Sequence, residues 1–455
     1  MEIGLTPGPS GRAGPRRLLF VTGSAHPLGG LNTWLDYLLP GLAERGWEPV
    51  LGLVEGPRHH RPERQLAAHP HDPWVRIPFR TGTPEGRCRA LVRALSVVAP
   101  AVAVGVNVPD LYPAVNRARR AGSPVRAIMT VHAIEPELYG DAFRFHAILD
   151  GAAATNRLAC RLLEVVSGHA GERVFYAPYG WDPATSAPPA RAGKDRFVIG
   201  YVGRLEEPQK RVLDLPRVAA ALDEIGVRAG WRVAGSGPAE GALRAGLPEG
   251  RTELLGAVPA AELPERLYRT VDALLVPSRW ETGPLVAWEA MAEGVPVVAA
   301  RYVGSGLEAA LVHEETALLF DVGDVAEASR QLGRLAREPA LRERLVAGGL
   351  RLLRERFSRS RSIEAWERAV ESVLEHPPRP PAPDPDVPPA TGRLDRWLGP
   401  GAAERVRRAL GRAGPESGSG GEWPHAYSRG GDREEFLRMA GTLDRSAEAG
   451  ACSPR

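Results

Sequence analysis

Cysteine is scarce, aromatic residues are few, and no long apolar run occurs. The three cysteines, Cys88, Cys160 and Cys452, lie far apart and are odd in number. They support neither a disulfide framework nor a metal site of paired-cysteine spacing, and they fit a reducing compartment. No uninterrupted apolar stretch reaches the ~18–20 residues of a membrane span. The start, MEIGLTPGPSGRAGPRR, is basic but is followed by no apolar region of signal type. A net charge of only +3 gives no bulk basic field for nucleic acid. The expectation is a cytoplasmic protein without a nucleic-acid partner.

What remains has the composition of a soluble globular protein, 43% hydrophobic and 25% charged. At 455 residues there is room for two or three domains, at about 100–200 residues each. The 58 basic residues are mostly arginine, and alanine, glycine and proline are abundant, a bias of base composition before function.

Residues 1–15 are rich in Gly and Pro and are expected to be disordered. From Arg17 a grammar begins: an apolar strand LLFVTG, a turn SAHPLGG, a helical LNTWLDYLLPGLAERG and a second strand EPVLGLVE. Strand, Gly-rich turn, helix and strand make the βαβ unit of a parallel sheet. AVAVGV, PVRAIMTVH and RVFYAP continue it. After a polar stretch near 184–195 the pattern restarts with RFVIGYVGR, WRVAGSG, TELLGAV, DALLVPS, VPVVAA and TALLFD.

The predicted architecture is α/β, with two Rossmann-like doubly wound domains at 16–188 and 189–356, a last helix at 357–375, and a Pro-rich linker and tail at 376–455. In such folds ligands bind at the carboxyl ends of strands. GPESGSGGEW in the tail has a composition that does not pack, and the tail is expected to be largely disordered.

Five places carry candidate chemistry. In WETGPLVAWEA, Glu281 projects from the loop after a buried-type strand, and Glu289 lies in an otherwise apolar helix. Gly283 reads as an N-cap and Pro284 as the first helical residue. The amides of Leu285 and Val286 then form an anion site. A buried carboxylate at Glu289 needs a partner: a ribose diol would serve, and so would an arginine from a neighbouring element. In VGRLEEPQKR, Arg204 and Lys210 flank the mouth of one strand and suit a diphosphate, or else are solvated surface charge. Gly29 and Gly30 after the first strand allow a phosphate close to the backbone, or simply make a turn. Gly235 and Ser236 in AGSGPAEG resemble a weak dinucleotide fingerprint. His132 ends the strand AIMTVH, where it either faces a ligand or is structural. Asp384 and Asp386 lie in the Pro-rich linker and make no preorganised metal site.

The order of these motifs resembles the retaining glycosyltransferases of family 4, which have the GT-B fold. The likeness runs through Gly29–Gly30, His132, APYGWD, GRLEEPQK, GSGP, VPSRWE and the Glu281-x7-Glu289 pair followed by AMAEGVPVVA. It covers roughly Arg17 to Glu375.

The resemblance implies a nucleoside diphosphate sugar, with a UDP or GDP base, as donor and a hydroxyl compound (glycan, lipid-linked or small molecule) as acceptor. It implies no metal and no further cofactor. Arg204 and Lys210 would neutralise the diphosphate, Glu281 would contact the sugar and Glu289 the ribose. Gly235, Ser236, Gly283 and the amides of Leu285 and Val286 would line the donor. Gly30 would approach the diphosphate from the first domain, and His132 would contact the sugar or support catalysis. The last helix would cross back to the first domain. Gly283 and Pro284 stand where the family has an aromatic and a glycine. Pro284 has no amide hydrogen, so one donor to the sugar is lost, which bears on sugar identity.

Rival readings are a sugar-nucleotide epimerase or phosphorylase of the same fold, a non-catalytic nucleotide-sugar-binding protein, and an NAD-dependent oxidoreductase. Arg87, Arg89 and Arg93 beside Leu91, Val92 and Leu95 read as a solvated helix face or as peripheral contact with a membrane.

Overall fold

The computed structural model describes residues 16–24, 30–56, 60–184, 196–383, 393–412, 427–428 and 431–445. The chain forms two units: Met1–Thr155, Ala159–Ala177 and Ile363–Phe436 make the first, and Asn156–Leu158, Pro178–Ser362 and Leu437–Arg455 the second.

The first unit is built on β1 (Arg17–Thr22), β2 (Glu48–Glu55), β3 (Trp74–Pro78), β4 (Val102–Val106), β5 (Arg126–Val131), β6 (Gly151–Ala154) and β7 (Val174–Tyr176). They pair in the order β3-β2-β1-β4-β5-β6-β7, every pair parallel. Central strands such as LLFVT and VAVGV are covered on both faces, so they read as continuous apolar runs.

The helix Arg359–Glu375 contributes Trp366 to this core, with ring centroids 5.3 Å from Trp34 and 6.0 Å from Phe20. It lies so close that a Cβ on Gly41 would stand 2.3 Å from Ile363 Cδ1. Trp74–Pro78 and Gly151–Ala154 were not read as strands from sequence. Gly151 is small for a reason: a Cβ there would meet the Phe175 ring at 2.5 Å.

The second unit contains β8 (Val198–Val202), β9 (Gly230–Ala234), β10 (Thr252–Gly256), β11 (Ala273–Val276), β12 (Val297–Ala300) and β13 (Leu318–Phe320). Their order is β10-β9-β8-β11-β12-β13, again all parallel. The chain steps from β8 outward to β10, then returns to place β11 on the other side of β8. The order therefore reverses between β8 and β11, and the loops leaving those two strands diverge there.

Several described residues of 376–455 are anchored by polar contacts that sequence reasoning did not foresee. In the first unit Tyr427 donates its hydroxyl to Asp110, which also takes Arg87 Nε at 2.7 Å. The amides of Tyr427 and Ser428 reach Asp141 at 3.2 and 2.6 Å. Burial pushes the Asp141 carboxyl up to about 6, against the lowering by these bonds. In the second unit Asp444 accepts from the amides of Gly304, Gly306 and Leu307 at 2.7, 3.1 and 2.8 Å.

Arg87 does not share a surface with Arg89 and Arg93. It is buried against Asp110, and Leu91 and Leu95 are core residues. The apolar side of that helix, Pro84–Val98, faces the sheet it covers, which corrects the reading of those leucines as a membrane face.

Asp110→Ala would leave the buried Arg87 guanidinium uncompensated and should destabilise the first unit by about 3–5 kcal/mol. Arg45→Ala removes only partly exposed pairs, with Glu367 and Glu364, and should cost less than about 1 kcal/mol. Urea denaturation of the two variants checks the contrast.

Candidate functional site

The site begins with three loops at the carboxyl edge of the second sheet. Gly203 donates its amide to Ala234 O at 3.0 Å, Leu205 to Ser236 O at 3.0 Å, and Ala239 to Leu205 O at 2.9 Å. The loops after β8 and β9 thus lie backbone against backbone. A Cβ on Gly235 would stand 1.8 Å from Gly203 O, and one on Gly237 2.4 Å from Leu205 O. That contact accounts for Gly235 and Gly237 without a phosphate; a Cβ on Gly241 would meet open space.

Arg204 leaves β8 half-exposed. Its guanidinium donates to Gln209 Oε1 at 2.7 Å and pairs with Glu206 at 3.1 Å. Gln209 turns its amide to Trp280 O at 3.0 Å and towards Glu281 Oε2 at 3.5 Å. Lys210 Nζ meets Glu281 Oε1 at 2.6 Å, with both side chains largely buried. Arg204, Gln209, Lys210 and Glu281 therefore form one network across the point where strand order reverses. Gln209 was missed by sequence reasoning; a lone amide between Pro208 and Lys210 in a strand-end loop was its only signal.

The loop after β11 is held by a short bridge, with Glu281 N donating to Val303 O at 3.1 Å and Val303 N to Arg279 O at 2.9 Å. Gly283 then takes φ +130°, which favours glycine. The helix runs Leu285–Ala292, and Pro284 is its cap, with φ −72° and ψ 93°. The expected register was one residue early: Pro284's ψ is extended, so it stands outside the helix. Its carbonyl accepts from Ala287 N at 2.8 Å. The amides of Leu285 and Val286 head the first turn, where a helix supplies them no carbonyl.

Glu289 is buried at 7% exposure. No arginine reaches it among the described residues; the Tyr268 hydroxyl donates to its Oε2. Tyr268 sits on the turn before β11 and was not anticipated as its partner. Burial pushes the Glu289 carboxyl up to about 7, against the lowering by Tyr268. Glu308 is also buried and accepts the amide of Arg157 at 2.9 Å.

The remaining candidates lie in the first unit. Gly30 is exposed and opens the helix Gly30–Glu44, while Gly29 lies outside the described residues. His132 directly follows β5, its ring 4.9 Å from that of Trp34. Burial pushes its imidazolium down to about 3, so the ring is neutral near pH 7 and has no proton to give as an acid. Among the described residues no group of three His, Cys, Asp or Glu side chains could hold a metal ion. None of their helices is long and apolar enough to cross a membrane. Asp384 and Asp386 lie outside the described residues.

A family profile described as Glycosyl transferases group 1 matches residues 196–338. A D-inositol 3-phosphate glycosyltransferase of Thermomonospora curvata is 36% identical over 195 residues, 40% of this chain and 42% of that protein. The first relative's length is thus matched over about two-fifths. A second enzyme of that name, from Pseudarthrobacter chlorophenolicus, is 27% identical over 393 residues, 76% of this chain and 92% of the relative. Among solved structures, Anabaena Alr3699/HepE in complex with UDP and glucose has a TM-score of 0.64 at 18% identity, covering 78% of this chain and 99% of that one. The apo form of the lipopolysaccharide outer core galactosyltransferase WaaB has a TM-score of 0.60 at 17% identity, with the same coverage. These two likenesses are of fold.

Two outcomes follow. Gly235→Ala should destabilise the second unit by several kcal/mol, because backbone rather than a flexible side chain stands in the way; thermal melting reads this. For Glu289, the folded-state value of about 7 lies above the ordinary 4.5. The native state then holds the proton more tightly than the unfolded chain, and stability is lost as pH rises from 4.5 towards 7. Glu289→Gln should remove that loss, worth up to about 3 kcal/mol above pH 7. Calorimetric melting across pH should show a flatter profile for the variant.

Proposed function

We propose that this chain, which has the GT-B fold, is a group 1 glycosyltransferase that moves a sugar from a nucleoside diphosphate sugar to an acceptor hydroxyl with retention of configuration. The observation that carries the reading is the Lys210–Glu281 pair beside the head of the helix Leu285–Ala292. One cation, one carboxylate and a turn of free amides meet where strand order reverses. UDP and UDP-glucose in the HepE complexes support a UDP sugar as donor.

In this mechanism the leaving diphosphate gathers negative charge as the sugar departs. Lys210 and Arg204 neutralise it, and the amides of Leu285 and Val286 donate to its oxygens. These donors are fixed before reaction, so little reorganisation is needed as charge develops. Glu281 holds Lys210 in place and accepts from sugar hydroxyls. Glu289 accepts from the ribose diol, which favours its ionised form against the burial that opposes it. Pro284 gives no amide to the sugar, so hydroxyl recognition falls to neighbouring groups. The acceptor hydroxyl attacks from the face the diphosphate leaves, and the diphosphate takes its proton. The cationic and amide groups do the electrostatic work without a metal.

The test is incubation of the purified chain with a panel of UDP and GDP sugars, reading nucleoside diphosphate release and product mass. Lys210→Ala should lower turnover by about 10²–10³-fold, the cost of one fixed donor to a developing anion. Lys210→Arg should recover only part of it, because a planar fork does not replace a compact ammonium. Glu281→Ala should also lose activity. Unchanged turnover in both alanine variants would sink the assignment.

A further inference from the structure

The helix Arg393–Ala409 is laid on the first unit largely by polar contacts. Its body-facing residues are polar: Glu404 accepts from Thr81 and Thr83 hydroxyls at 2.9 and 2.7 Å, and buried Arg407 pairs with buried Asp395. Arg89 Nη2 donates to Gly401 O at 3.4 Å. The side turned away from the body mixes large apolar side chains with arginines. Trp397 is 88% exposed, Leu410 63%, Leu398 48% and Leu394 39%. A soluble surface helix normally turns such large apolar side chains inward. The backbone breaks at Gly399, with φ +71°, ahead of Pro400, which sets the Trp397 turn apart from the rest.

Charge on this segment is also one-sided. Arg393, Arg396, Arg405, Arg408 and Arg412 are exposed, while its two acids, Asp395 and Glu404, are buried. None of the five arginines has an acidic partner among the described residues. Arg80 and Arg93 continue the patch from the neighbouring segment. The Arg93 guanidinium is held below its ordinary value by burial first, then by Arg408, Arg80 and Arg89, with only Glu404 opposing. These cations repel one another and await a counter-charge.

We propose that this face, Trp397 and Leu398 with the arginines around them, docks the chain on an anionic lipid surface. A tryptophan with flanking aliphatic side chains suits the headgroup boundary, where its ring is half apolar and half wet. Arginines beside it meet lipid phosphates, and the kinked segment lies in the surface rather than across it. A solvated face would intersperse acids with these bases, and a nucleic-acid groove would not need Leu394, Leu398 and Leu410 outermost. The inference does not depend on which donor the chain uses.

The experiment is co-sedimentation of the full chain with vesicles of phosphatidylcholine alone and of phosphatidylcholine mixed with phosphatidylglycerol. Binding is expected to the mixed vesicles, to weaken with salt, and to be lost in Trp397→Ala/Leu398→Ala. Arg405→Gln/Arg408→Gln should bind roughly 30-fold more weakly, from the contribution of two interfacial cations. These side chains are exposed, so melting temperatures should match the wild type. Hydrogen exchange on the wild type gives a reading free of variants: residues 393–412 should gain protection with mixed vesicles. No sedimentation, equal binding to neutral vesicles, wild-type binding by the Trp397/Leu398 variant, or protection by a single-stranded oligonucleotide alone would overturn the proposal.

Discussion

Everything at the site depends on all pairs in the second sheet being parallel. Parallel pairing sends every strand's carboxyl end to the same edge, and the order β10-β9-β8-β11-β12-β13 then reverses between β8 and β11. Chain segments 71 residues apart are thereby delivered side by side, so that Lys210 can reach Glu281 at 2.6 Å. The loops need not find one another; the sheet has already placed them. What they must do is fit, and the glycines at 235 and 237 let backbone lie on backbone where a side chain would collide.

A second constraint works inside the helix Leu285–Ala292. All of its residues from Ala287 onward are buried, including Glu289. An ionised carboxylate there opposes folding, and one tyrosine hydroxyl only partly offsets it, which is why burial still dominates its titration. A group that costs stability in the empty protein and gains from an incoming hydroxyl pair fits a binding role better than a structural one. The same helix offers free amides at its head and a carboxylate in its second turn. A diphosphate and a ribose need those two chemistries in that order.

Strands that are covered on both faces were legible because they are continuous apolar runs, and the motifs at their carboxyl ends followed. Trp74–Pro78 was hidden because it is a half-buried edge strand in a polar neighbourhood. Gly151–Ala154 was hidden because alanine has little intrinsic preference for strand; packing against Phe175 and Val373, not propensity, selects it. The residues of the site were named individually, but their pairing was not. Lys210 was assigned to phosphate and Glu281 to sugar, and the structure first joins them to each other through 2.6 Å. Gln209, Tyr268 and Asp444 escaped because each acts on a group far away in sequence. A buried hydroxyl or carboxylate has no local pattern to mark it. The tail's composition was read as poor in core-forming residues, yet its described parts are held by hydrogen bonds through carboxylates at 110, 141 and 404 and by burial of Tyr427, Phe436 and Leu437.

The basic residues carry one more signal. Of 58, only Lys194 and Lys210 are lysine; Lys194 lies outside the described residues. A chain that uses guanidinium almost throughout has kept an ammonium beside Glu281, and the geometry gives a reason. A guanidinium facing that carboxylate would engage it as a fork, directing two parallel N–H groups at the two oxygens. An ammonium directs one N–H at Oε1 and keeps two donors on a compact, nearly buried head. In the mechanism proposed above, those two are the donors Lys210 offers to the diphosphate. Arg204, half-exposed and steadied by Gln209, needs no such economy of space, and there the chain uses its usual arginine.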